Sequence, residues 1–155
     1  MVKEKKLQDF HHVRRADQLR KMKEIEKRGI CHLCPKYLKT YHDAAIEREG
    51  KYWAVTKNDY PYAGTALHYM IIHRRHIEHI SKISGQAWAE LADHFKWLKR
   101  TSKLPGGGFF MRFGDSAYTG ATALHLHAHV ILGDRRKNKG TQKILNVPLG
   151  YEQAK

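Results

Sequence analysis

Histidine stands at every second position in the run ALHLHAHVILG: His125, His127 and His129. A repeat of two is the period of a β-strand, so a strand through this segment projects three imidazoles from one face. Leu124, Leu126, Ala128 and Val130 alternate with them and turn the other face towards a core. The chain must therefore fold around a sheet with one hydrocarbon face and one face rich in groups that titrate near neutral pH. A solvated polar edge is the plain alternative. A single metal held by all three rings is excluded by reach. The first and third rings start roughly 13 Å apart on a strand, whereas zinc–nitrogen bonds are about 2.0–2.1 Å. At least one of the three has a different task from the others.

Two cysteines, Cys31 and Cys34, occur together in CHLCP. In a reducing compartment such a pair reads as metal ligands, as a redox pair or as free structural thiols. No strand signal precedes Cys31, which weighs against a thioredoxin-like site. No further cysteine exists to complete an all-thiolate zinc site, so other ligands would be histidines or carboxylates; the chain holds 12 histidines. No apolar run approaches a membrane span, and the opening MVKEKKLQDFHHVRR lacks the hydrophobic stretch of a secretion signal. A cytoplasmic protein without membrane association is expected. The formal charge of +14 on 155 residues favours polyanionic partners, such as nucleotides or nucleic acid, without choosing among them.

The pattern along the chain is simple. RADQLRKMKEIEKRG predicts a helix with a thin apolar stripe (Leu19, Met22, Ile25), stopped by Gly29 and suited to loose docking or dimerisation. Residues 43–49 and 51–57 read as a hairpin around Gly50, NDYPYAGTA as a turn-rich loop, and residues 67–73 as a buried strand. Ser84 caps a long helix, GQAWAELADHFKWLKRTSK, with Trp88, Leu91, Phe95 and Leu98 on its core stripe. FFMRF is a strand, GDSAYTGAT a small-residue loop, and the histidine strand follows. Strands in series with one long helix give an antiparallel α+β fold.

HLHAHVI fits the His-φ-His-φ-His-φ-φ motif of the histidine-triad (HIT) nucleotide-binding superfamily, φ being apolar. NDYPYAGTALHYMIIHRRHI resembles that superfamily's nucleotide-side loop, strand and upstream histidine, and the loop before the triad has matching character. The resemblance spans residues 31–133. It leaves 1–30 as a basic helical extension and 134–155 as a basic tail. It implies a sheet of about five antiparallel strands with one long helix, often joined as a homodimer.

The resemblance also implies chemistry. His127 would attack the α-phosphorus of a nucleotide and carry the nucleotidyl group. His129 would contact the phosphate or protonate the leaving group, and His68 would stand close by. Thr122, with the backbone of Gly120 and Ala121, would receive phosphate oxygens. Relatives often carry a polar residue at the place of Ala121. Arg112 replaces the asparagine of many relatives and would bind phosphate or pair with Asp115. Asn58 and Tyr60 are the candidate nucleoside contacts. Bacterial-type hydrolases and uridylyltransferases of the superfamily join a CxxC to two histidines, which here assigns Cys31, Cys34, His76 and His125 to a structural zinc; His32, His73 and His79 are less well placed. Ending the motif in His129 favours a hydrolase acting on a nucleoside phosphoramidate, a dinucleoside polyphosphate or an adenylylated compound. A nucleotidyltransferase or phosphorylase is the near alternative. A zinc-stapled nucleic-acid-binding module, including a deadenylase like the aprataxin branch, is the more distant one.

Overall fold

The computed structural model describes residues 6–134 and 143–152. Residues 1–5 of the expected N-terminal extension, and residues 135–142 and 153–155 of the expected basic tail, lie outside the described residues.

In chain order the elements are α1 (Ala16–Lys27), α2 (Pro35–Tyr41), β1 (Ile46–Glu49), β2 (Trp53–Lys57), β3 (Thr65–His73), a 3-10 turn (Ile80–Lys82), α3 (Gly85–Thr101), β4 (Gly108–Met111), α4 (Ser116–Thr119) and β5 (His127–Gly133). The strands form one antiparallel sheet in the order β1-β2-β3-β5-β4. This is the α+β architecture expected from the sequence, with α3 as its one long helix. Among the described residues, no helix is long and apolar enough to cross a membrane.

Period-two alternation gives the sheet two different faces. Trp53, Val55, Tyr69, Ile71, Ala128 and Val130 pack with Ala87, Leu91 and Leu98 of α3 in the main core. Ala54, Met70 and Ile72 point the other way, against Cys31, Leu33 and Leu38. The register sets His129 opposite Met70 and His127 opposite Ile72, so both rings belong to the second face. The first face packs on α3, and the second carries both histidines beside a smaller core.

Several elements depart from expectation. The strand starts at His127, so His125 precedes it. The backbone there is satisfied elsewhere: Leu126 donates to Ile77 O at 2.7 Å, Leu124 to Leu7 O at 3.0 Å, and Ala123 forms a bridge with Gln8. Leu124 is accordingly only half-buried, outside the core that holds Leu126. The α3 stripe is rotated: Ala87, Leu91, His94 and Leu98 are buried, whereas Trp88 is 42% exposed. The Trp53 indole donates to Ala87 O at 2.7 Å, and a small residue is what lies under that ring. The α1 stripe does more than dock loosely, since Met22 and Ile25 are buried within the chain itself. Pro35 opens α2, an element with no clear sequence signal. The loop before the triad contains α4, capped by Asp115, whose side chain accepts from Ala117 N. Asp115 is thus a cap, not the partner of Arg112.

Candidate functional site

One ligand atom from each of Cys31, Cys34, His76 and His125 comes within 4.8 Å of the others. Cys31 Sγ lies 3.3 Å from His125 Nδ1, and Cys34 Sγ lies 3.5 Å from His76 Nδ1 and 3.7 Å from His125 Nδ1. Tetrahedral ligands at ordinary zinc–sulfur and zinc–nitrogen bond lengths stand about 3.3–3.8 Å apart, so the cage has the size of such a site. The outer contacts agree. His125 Nε2 meets His73 O at 2.5 Å and His76 Nε2 meets Glu78 Oε1 at 3.2 Å. Each ring therefore donates outward from Nε2 and turns Nδ1 inward, as ligating imidazoles do. The cluster is consistent with a structural zinc site: four protein ligands leave no open position. The redox reading of CHLCP fits poorly. Burial, with Cys34 beside it, pushes the Cys31 thiol up to about 12, the opposite of an activated redox thiol. His73 uses Nδ1 on the Arg75 backbone, and His79 caps the 3-10 turn through Ser81. Neither belongs to the cluster.

His127 and His129 stand past the cluster on the second face and line one cavity. His127 Nδ1 lies 2.7 Å from His125 O. A carbonyl only accepts, so Nδ1 carries the proton and Nε2 keeps its lone pair. Burial, with Arg112 nearby, pushes the His127 pKa down to about 4 and keeps the ring neutral at pH 7.

The next ring is set through His68. The backbone N–H of Tyr62 donates to His68 Nδ1 at 3.2 Å. A backbone amide cannot reverse its role, so the His68 proton sits on Nε2. That nitrogen lies 2.8 Å from His129 Nδ1, which then accepts and leaves the His129 proton on Nε2. Arg112 Nη1 is 3.3 Å from the same Nε2. Two donors thus converge without an acceptor between them. Arg112 Nη2 also donates to Tyr62 Oη at 3.0 Å and to Pro148 O, which brings residues 143–152 over the site. Arg14 lies over the Tyr62 ring at 4.1 Å. This convergence of two arginines and a donating imidazole forms an anion-attracting corner.

The remaining expected residues also line this cavity: Thr122, Gly120, Ala121, Asn58 and Tyr60. Their free valences are fewer than expected. The Gly120 N–H donates to Ser116 O at 2.8 Å and that of Ala121 to Thr119 Oγ1 at 3.3 Å. Asn58 Oδ1 accepts from Tyr60 N at 2.8 Å; its Nδ2 lies 3.1 Å from the protonated His68 Nε2, which cannot accept from it, so the Asn58 N–H groups stay free to donate. Sequence reading missed much of the wall, including Arg14, Gln18, Lys21, Met22 and Ile25 from the N-terminal extension. It also missed His42 and Asp59, paired at 3.1 Å, with Asp59 accepting the amides of Asp43 and Ala44. The only signal for the extension was the α1 stripe, whose narrow apolar face has a cavity beside it.

Fold and site together define an α+β domain with a five-stranded antiparallel sheet and a Cys/Cys/His/His cluster able to hold a metal ion. No family model matches the sequence, and no curated protein matches it. Solved structures do. A hypothetical histidine triad nucleotide-binding protein from Sulfolobus tokodaii is 23% identical, with a TM-score of 0.54 over 79% of this chain and 82% of that one. A histidine triad nucleotide-binding protein from Candida albicans is 19% identical, with a TM-score of 0.54 over 73% of this chain and 87% of that one. A hypothetical protein from Leishmania major is 17% identical, with a TM-score of 0.53 over 77% and 80%. At these identities the likeness establishes the fold.

Proposed function

We propose that the chain processes nucleotides at the α-phosphate, with His127 as the nucleophile and the metal cluster as a structural staple. One observation carries this reading: His127 turns a neutral Nε2 into a cavity where Arg112 and His129 Nε2–H converge without an acceptor. A phosphate seated there satisfies both donors and offers its phosphorus to the free lone pair. In the first step Nε2 forms a bond to phosphorus. The bond to the leaving group breaks, its electron pair departs with that group, and the group takes a proton from water while the His129 Nε2–H holds a phosphate oxygen. In the second step a water oxygen attacks phosphorus, the P–N bond breaks, its electrons return to His127, and the attacking water's proton passes to solvent. An acceptor phosphate or hydroxyl in place of water makes the same sequence a transfer.

Net charge favours a second reading. At +14, with Arg14 and Lys21 on the cavity wall, the chain suits a nucleotide attached to a polyanion, as in an adenylylated nucleic-acid end. The test is turnover of a fluorogenic adenosine phosphoramidate by the zinc-loaded chain. We expect a loss of at least about a thousandfold in His127→Ala, and an acid-labile nucleotidyl adduct on the His127 peptide of the wild type. Undiminished turnover in His127→Ala overturns the proposal. Salt-sensitive turnover of an adenylylated DNA end, without turnover of the phosphoramidate, establishes the second reading instead.

A further inference from the structure

Three buried polar atoms on residues of the cavity wall lack a hydrogen-bond partner among the described residues: Arg112 Nε, at the anion-attracting corner, and Gln18 Oε1 and His32 Nδ1. Gln18 lies on α1, one turn before Met22, and His32 lies between the two cysteines. The same cavity is lined by the apolar side chains of Met22, Ile25, Leu33 and Met70, with Lys21, His42 and Asp59 also on its wall. Buried polar atoms are nearly always paired, so orphans sharing one cavity call for a ligand that pairs them. An apolar slot with a few polar atoms is the ordinary form of a pocket for a flat heterocycle. Asn58, the residue expected to contact a base, already uses its amide oxygen on Tyr60 N.

The chemistry of Gln18 and His32 narrows the ligand. Gln18 Oε1 only accepts, whereas neutral His32 Nδ1 takes either role. The complementary edge is an exocyclic amino group beside an unprotonated ring nitrogen. We propose that Gln18 and His32 select a nucleotide whose base presents an amino group, such as adenine, over the corresponding keto base. The amino N–H donates to Gln18 Oε1, and the adjacent ring nitrogen accepts from His32 Nδ1–H. A keto base turns a carbonyl oxygen towards Gln18 Oε1, so that two acceptors face one another; the other His32 tautomer still meets its ring N–H, and the discrimination falls on Gln18. This inference rests on the nucleotide reading above and adds the base specificity that reading leaves open.

AMP and IMP differ at this edge alone, so calorimetric titration of both into the zinc-loaded full chain tests the inference. AMP is expected to bind at least about tenfold tighter than IMP. Gln18→Met, which keeps the length and removes the acceptor, should bring the two within about twofold by weakening AMP alone. Gln18→Glu, which keeps an accepting oxygen, should retain the preference for AMP. Thermal melts and zinc content check that each variant folds; the wild-type ratio is decisive even if one does not. Equal affinities in the wild type, or a ratio unmoved by Gln18→Met, overturn the base-reading role while leaving the nucleotide reading standing. Failure of both nucleotides to bind overturns both readings.

Discussion

His68 is buried on the second face of the sheet, and its surroundings decide its charge. Burial first, then Arg14, His127 and Arg112, pushes its pKa down to about 3. In the unfolded chain the same ring titrates near the ordinary value of about 6.5. Between those values the unfolded chain binds a proton that the folded chain refuses. Folded stability therefore falls as pH drops from about 6.5 towards 3, with a slope approaching about 1.4 kcal/mol per pH unit for one ring. His68→Leu should remove about that much of the slope, whatever it costs at pH 8. Denaturant titrations of the zinc-loaded protein in steps from pH 4.5 to 8 measure it, and an unchanged slope would show that His68 is not held neutral. At this scale the sequence was informative where residues repeat or pair. His125, His127, His129 and the CxxC announce themselves by spacing, and three of the four cluster residues are among them; His76 is unmarked and came from the resemblance alone. Gln18, Asp59 and His42 carry no such mark, because a lone polar residue in a helix or loop looks the same whether or not it faces a cavity.

Glu90 shows how one element holds another. It lies on α3, yet its carboxylate accepts the backbone N–H groups of Lys51, Tyr52 and Trp53 at the β1–β2 turn. Gly50 lets the carboxylate approach, for a Cβ there would lie 2.1 Å from Glu90 Oε1. Burial alone would raise the Glu90 pKa, but the Tyr52 and Trp53 amides outweigh it and hold it below the usual carboxylate range. Glu90→Ala leaves three donors without their acceptor and should cost about 2–3 kcal/mol. That corresponds to a Tm lower by roughly 5–10 °C at this chain length. Glu90→Gln, which keeps the oxygen used by Tyr52 and Trp53, should cost less; equal melting of Glu90→Ala and wild type would refute the clasp. Strand and helix existence was legible in the sequence because alternation and the 3.6-residue stripe are local patterns. The rotation of α3 was not, since Ala87 replaces Trp88 in the core only because the Trp53 indole bonds there. Nor was the early end of the histidine strand, which depends on Leu7, Gln8 and Ile77 meeting residues 123–126 from distant parts of the sequence.

The cavity is a composite of three stretches that read as separate in the sequence. Residues 7–9 pair with residues 122–124, α1 supplies one wall, and Pro148 reaches Arg112 from the far end. His12 stacks on Tyr151 at 4.3 Å, so the two flanking stretches also touch each other. The candidate metal cluster joins these parts, because Cys31 and Cys34 follow α1 directly whereas His125 leads into β5. Removing the metal should therefore act far beyond its ligands. Without it, two buried imidazoles face two thiols, and nothing covalent ties α1 to the sheet. Structural zinc contributes about 10–16 kcal/mol in small domains that fold only around it; here the sheet core of Trp53, Ile71, Leu91 and Leu98 stands apart from the cluster and should survive. The expected result of chelation is thus a Tm lower by more than about 10 °C, with amide exchange protection lost first in α1 and residues 7–9 and retained in β3 and β5. Zinc should restore both. Cys34→Ser should reproduce the chelated state, and it isolates the metal cleanly: Cys34 is the N-cap of α2, a position where serine serves well, so the helix itself is not harmed. Equal melting and equal protection with and without zinc would show that the four ligands meet for another reason, and that the cavity's walls are held by packing alone.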